Sequence, residues 1–157
     1  MKAASLTEIK KELNAVPPGQ LVELCLRLAK FKKDNKELLS YLLFESHDLQ
    51  AYIEAVKGNM DTEFAAEPGR GHVYYIKKHL RKILRNTNKQ IKYTGSKQAE
   101  IELLLYFCTK VKNAGIRLND SLALANLYQQ QLKKIAKAIS LQHEDLQYDY
   151  LKQLEDL

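Results

Sequence analysis

The stretch Ile101-Glu102-Leu103-Leu104-Leu105-Tyr106-Phe107-Cys108 decides the fold. Wound at 3.6 residues per turn, it places apolar groups on nearly every side of a helix. A helix without a polar face is stable only where neighbours cover it all round, so this one is expected at the centre of its domain. Thr94-Gly95-Ser96 is placed to start it and Asn113-Ala114-Gly115 to end it.

Working outward, apolar residues recur at three- and four-residue steps, the period of an amphipathic helix. Towards the N-terminus the pattern predicts a helix over about 72–86 on Val73, Ile76, Leu80, Ile83 and Leu84, then a polar connector over 86–96. Before it lies a helix from about Asp48 to Phe64, on Leu49, Tyr52, Ile53, Val56 and Met60, with Pro68-Gly69-Arg70-Gly71 as the clearest internal break. Ser5 with Glu8 forms an S-x-x-E capping box opening a first helix on Leu6, Ile9 and Leu13. Pro17-Pro18-Gly19 ends that helix. A second helix, about 20–33, and a third, opened by a box of Asp34 and Glu37, are joined so tightly that they are expected to be antiparallel neighbours.

Towards the C-terminus, Asn119 or Asp120 is expected to open a helix on Ala125, Tyr128, Leu132, Ile135, Ala136 and Ile139, and a peripheral one spans about 144–157. No alternating run long enough for a strand occurs. The expectation is an all-α single domain over residues 1–157, with seven or eight helices packed as a bundle or as short antiparallel pairs, a HEAT-like array being the alternative. Glu37-Leu38-Leu39-Ser40-Tyr41 echoes Glu102-Leu103-Leu104-Leu105-Tyr106, but no fixed period links the other helices, and a short leucine-rich echo recurs by chance.

Composition is consistent with this. The chain has 157 residues, of which 45% are hydrophobic and 28% charged, and only six glycines and three prolines to spend on turns. Cys25 and Cys108 both lie in apolar helical runs and are expected to pack as small hydrophobes rather than to form a disulfide framework. Met1 to Ser5 leads directly into a charged helix without the apolar stretch of a signal peptide, and no window of about 18 apolar residues exists. A cytoplasmic protein with no membrane partner is therefore expected.

Charge is the uneven quantity. Between Pro68 and Ala99 there are nine basic residues (Arg70, Lys77, Lys78, Arg81, Lys82, Arg85, Lys89, Lys92 and Lys97) and no Asp or Glu. The flanks carry −2 and −1, so the middle supplies more than the whole net charge of +6. Lys77, Arg81 and Arg85 repeat at four-residue steps with Lys78 and Lys82 beside them, largely opposite Ile76, Leu80 and Ile83. Like charges at that spacing repel by a few tenths of a kcal/mol per pair, a cost that carboxylates from elsewhere in the fold or a bound polyanion would relieve.

The candidate anion-binding or nucleic-acid-binding residues are thus Lys77, Lys78, Arg81, Lys82, Arg85, Lys89, Lys92 and Lys97. Tyr74, Tyr75 and Tyr93 interleave with the cations as stacking surfaces for bases, and backbone N–H groups near Thr94, Gly95 and Ser96 are a candidate phosphate seat. The plainer account is a solvated helix face, half-buried tyrosines and an ordinary N-cap, with the acidic segment Glu144, Asp145, Asp149, Glu155 and Asp156 covering the cations.

Other chemistries find no anchor. His47, His72, His79 and His143 are scattered, H-E-x-x-H and C-x-x-C are absent, and Glu63 and Glu67 lack the E-x-x-H partners of a bundle di-metal site. Glu45, His47 and Asp48 read as solvated helix capping. Gly95-Ser96-Lys97 lacks the upstream glycine of a phosphate loop, and no G-x-S-x-G elbow exists. Neither cofactor nor metal is expected. The function expected is a non-enzymatic binding module whose basic face meets nucleic acid or another polyanion. The alternatives are a protein-interaction or scaffold module that pairs with an acidic partner or with itself, and an enzyme whose site assembles from distant residues.

Overall fold

In a computed structural model describing residues 1–66 and 71–157, the apolar stretch lies within α6 (Lys97–Asn113). Ala99, Ile101, Leu103, Leu104, Leu105, Phe107, Cys108 and Val111 of that helix are all buried. Around it pack α4 (Leu49–Ala66), α5 (Val73–Thr94), α7 (Leu122–Ser140) and α8 (Glu144–Glu155). The first three each contribute a buried apolar stripe: Ile53, Val56, Met60 and Phe64 from α4, Leu80, Ile83 and Leu84 from α5, and Leu124, Leu127, Ile135 and Ile139 from α7. The Phe64 and Phe107 rings meet at 6.0 Å between centroids. Each such side chain stabilises the fold by about 1.5–3 kcal/mol when fully buried, and α6 carries eight buried residues because it is covered from every side. No strand occurs among the described residues, and the fold is all-α with eight α-helices.

The chain divides into two compact units, Met1–Phe44 and Glu45–Leu157. The second holds the core just described. The first comprises α1 (Leu6–Ala15), α2 (Pro18–Phe31) and α3 (Lys33–Ser40), and runs into a π-helical turn, Tyr41–Glu45. Its α2 and α3 pack on each other across the single residue Lys32, and Asn35 Nδ2 donates to the Leu28 carbonyl at 2.8 Å. None of its three helices has a fully buried residue, and Phe31 and Phe44 are 77% and 70% exposed. Three short helices enclose too little volume to cover their own apolar stripes. Cys25, expected in a core, is exposed for the same reason, whereas Cys108 lies inside α6 and burial pushes its thiol up to about 12.

Several helix ends follow the expected chemistry. Ser5 and Glu8 close the full capping box. Asp48 Oδ1 accepts from the Ala51 N–H at the start of α4, and Ser96 Oγ from the Ala99 N–H at the start of α6. Asp34 does not open its helix: the cap position lies two residues earlier, at Lys32, and Asp34 falls inside the first turn of α3. Neither Asn119 nor Asp120 opens α7. They sit in a 3-10 turn, Leu118–Asp120, and Ser121 caps the helix through the Leu124 N–H. Pro68, Gly69 and Arg70 of the expected break, and Glu67, lie outside the described residues.

The largest departure is α5. The polar connector expected over 86–96 is helical as far as Thr94, and Gly95 in the left-handed conformation (φ 60°) ends the helix, its N–H bonding the Ile91 carbonyl. The stripe of Ile76, Leu80 and Ile83 continues through Thr87 and Ile91 at four-residue steps. Thr87 is buried because its hydroxyl bonds the Ile83 carbonyl at 2.9 Å, which lets a polar residue occupy an apolar position. Tyr93 is buried as well, and the Tyr52 hydroxyl donates to Gln90. Side chains that look polar in sequence therefore face the protein.

Candidate anion-binding site

α5 forms as a long helix because its apolar stripe runs unbroken, and that same length makes a long opposite face. On a 3.6-residue helix, Tyr74, Lys78, Arg81, Arg85 and Lys92 fall within about 60° of one another, a line roughly 27 Å long. All five are exposed. Lys78, Arg81, Arg85 and Lys92 pair with no carboxylate among the described residues. The acidic α8 packs on α7 and α6 instead of lying along α5.

Not all of the sequence candidates belong to this line. Lys82 donates to Glu63 on α4 at 3.0 Å, and Lys97 is paired with Glu100 at 2.6 Å, one turn on. Lys77 points off to the side, half-buried, and Lys89 is half-buried and has a partner of its own. Tyr74 and Tyr75 are exposed and meet edge to face at 5.4 Å, while Tyr93 is buried and offers no stacking surface. The phosphate seat expected at the start of α6 is used internally: Ser96 Oγ caps the Ala99 N–H, and Thr94 Oγ1 accepts from the Ser96 N–H at 3.1 Å.

What the structure adds lies beside that junction. A cleft of about 600 Å³ opens between the end of α5, the start of α6 and the last turns of α7. Lys92 and Lys97 line one side, and Lys134 and Lys137 of α7 the other. Asn88 sits at the edge, Ile91, Ala138 and Leu141 supply apolar wall, and Glu100 is the one carboxylate among the lining residues. Lys134 and Lys137 are exposed and form no ion pair among the described residues. Four ammonium groups around one carboxylate leave a locally positive concavity that attracts anions. Sequence reasoning missed Lys134 and Lys137. The signal in α7 is only a pair of lysines on the polar side of an amphipathic helix, and nothing in the sequence places that side next to residue 92.

A second polar cluster joins α4, α6 and α8 and is internally matched. The Tyr106 hydroxyl donates to Asp61 Oδ1 at 2.6 Å, Lys110 meets the same oxygen at 2.7 Å, and Lys57 and Lys110 lie 5.6 and 5.7 Å from the Tyr106 ring centroid. The bonds from Lys110 and Tyr106 hold the Asp61 carboxyl below the usual carboxylate range. The bond to Asp61, with burial, pushes Tyr106 up to about 12. Tyr150 is pushed up to about 12 by burial and by Glu102, to which it donates at 3.1 Å. Opposite charges here satisfy one another, so the cluster fastens helices.

Three of the four histidines are likewise occupied. His72 and His143 cap α5 and α8 through Nδ1, and His79 Nε2 bonds the Glu63 carbonyl at 2.9 Å. No three His, Cys, Asp or Glu side chains gather as a metal site among the described residues. No described helix is long and apolar enough to cross a membrane. Compared with known proteins, the chain matches no family, no curated protein and no solved structure.

Proposed function

We propose that the protein is a non-enzymatic binding module for single-stranded nucleic acid, held along the exposed face of α5. The observation that carries this reading is the line of Lys78, Arg81, Arg85 and Lys92, which pair with no described carboxylate and lead directly into the four-lysine cleft. Neutralising phosphates along such a line releases counterions and gives affinity that ignores base order. Tyr74 and Tyr75, exposed at the far end of the line, supply aromatic faces on which any base stacks, worth about 1–3 kcal/mol per base.

Titration of a labelled mixed-sequence RNA or DNA strand against salt tests this. With about five phosphates engaged, the slope of log affinity on log salt should be roughly −3 to −4. Arg81→Ala with Arg85→Ala should weaken binding uniformly across sequences and make that slope shallower by about one unit or more. Absence of binding at about 50 mM salt, where such attraction is strong, removes the reading.

A second reading, self-association, is supported by the first unit. Leu24, Leu28, Phe31, Leu42, Leu43 and Phe44 are all exposed there, and exposed apolar area on that scale marks an association surface. A chain that ignores nucleic acid in the titration, and whose mass by light scattering rises with concentration, favours it.

A further inference from the structure

We infer that the lysine cleft at the α5–α6 junction seats a terminal nucleotide of the strand, with the end phosphate among the four ammonium groups and the base against the apolar wall. The nucleic-acid reading supplies the identity of the ligand, whereas the cleft's own shape and charge supply the argument for a terminus.

Charge is the first ground. Lys92, Lys97, Lys134 and Lys137 set against Glu100 leave three positive charges about one concavity, and three helices deliver them from different sides. An internal phosphodiester carries one negative charge. A terminal phosphate monoester carries close to two near neutral pH and presents three acceptor oxygens, which suits donors converging from several directions. Lysines lining one cleft repel one another, and a dianion relieves more of that repulsion than a monoanion.

Shape is the second. The exposed face of α5 is a convex helix surface, suited to a chain passing along it, whereas the cleft is a hollow of about 600 Å³, within the range of small-ligand sites. Its wall is mixed in the way a nucleotide requires. Ile91, Ala138 and Leu141 offer apolar surface for the face of a base, and the Asn88 amide at the edge offers both a donor and an acceptor. Lysines alone would suit any phosphate, and the apolar wall is what separates a nucleotide from an inorganic ion.

Position is the third. Lys92 belongs both to the cationic line and to the cleft, and half-buried Asn88, one turn before it, lines the cleft beside that line. A strand following Lys78, Arg81 and Arg85 therefore arrives at the hollow. Glu100 is held by Lys97 at 2.6 Å, and an incoming phosphate would compete with it for that lysine.

The test uses the full chain and three strands of one sequence, bearing a 5′-phosphate, a 3′-phosphate or neither, with adenosine monophosphate, adenosine and inorganic phosphate titrated by calorimetry. One phosphorylated strand should bind about tenfold tighter or more than the unmodified strand, a difference on the scale of one or two charge-assisted hydrogen bonds. The monophosphate should bind more tightly than either adenosine or inorganic phosphate. Lys134→Ala with Lys137→Ala should abolish both preferences, while Arg81→Ala with Arg85→Ala weakens all strands alike and keeps them. Equal affinity for the three strands together with no detectable monophosphate binding overturns the cleft, whether or not α5 holds RNA. Monophosphate binding no tighter than that of inorganic phosphate overturns the apolar wall's role and with it the nucleotide. Monophosphate binding that needs Lys134 and Lys137, without any strand binding, sustains the cleft and overturns the α5 line.

Discussion

Tyr106 shows how one residue ties stability to pH. Asp61 accepts its hydroxyl hydrogen at 2.6 Å, and the phenol ionises at about 12 instead of its ordinary 10. Between those values an unfolded chain sheds the proton and the folded protein keeps it, so the unfolded state gains and stability falls as pH rises from 10 to about 12. Tyr150 adds to the same fall over the same range. Tyr106→Phe should leave a shallower decline in urea midpoint across this range, and an unchanged slope would show that the Asp61 bond has no part in it. Asp61 works the other way. Its folded value lies below 3.8, so its contribution is present above 3.8 and is lost as pH falls through the folded value. Cys108, pushed up to about 12 by burial alone, stays a thiol throughout the neutral range.

At the scale of elements, α5 is the helix on which the candidate site depends, and Gly95 is the residue that ends it. Its φ of 60° costs a residue with a side chain about 1–2 kcal/mol, and an added Cβ would meet nothing within 4 Å. Gly95→Ala should therefore lower stability by about that amount through the backbone alone, measured as a drop in the urea midpoint. Its secondary effect is to disturb the turn that sets Lys92 beside Lys97. The helix was legible in sequence as far as Asn86, where apolar residues thin out. Beyond that point Thr87, Ile91 and Tyr93 keep the stripe going, and a threonine that bonds its own helix is not recognisable as an inward residue from its name. The capping boxes teach the same lesson. Ser5–Glu8 and Asp34–Glu37 have the same spacing, but only the first is placed one residue ahead of its helix.

Over the whole molecule, burial is uneven. The second unit surrounds α6 with four helices, whereas none of the three α-helices of the first has a fully buried residue. Amide exchange should follow this distribution. The slowest exchange belongs to α6, at Leu103, Leu104 and Phe107, and helices α1 to α3 should exchange with much lower protection, because opening them exposes little buried surface. Protection in α2 equal to that in α6 would mean that the first unit is stabilised by a partner, which would favour self-association. The net charge of +6 is a property of the whole chain, but its use is local. Lys57, Lys82 and Lys110 are neutralised by Glu54, Glu63 and Asp61, whereas Lys78, Arg81, Arg85 and Lys92 along α5 and Lys134 and Lys137 in the cleft have no carboxylate partner among the described residues.

The sequence alone determined that the chain is helical, that residues 101–108 lie at its centre and that positive charge concentrates over 68–99. These properties follow from local periodicity and composition, which neighbours in the chain impose on one another. Only the tertiary structure decided which cations are spent and which remain. Lys82 meets a carboxylate nineteen residues before it, and Lys134 lines the same cleft as Lys92, because helix packing brings together residues whose separation along the chain carries no record of their proximity.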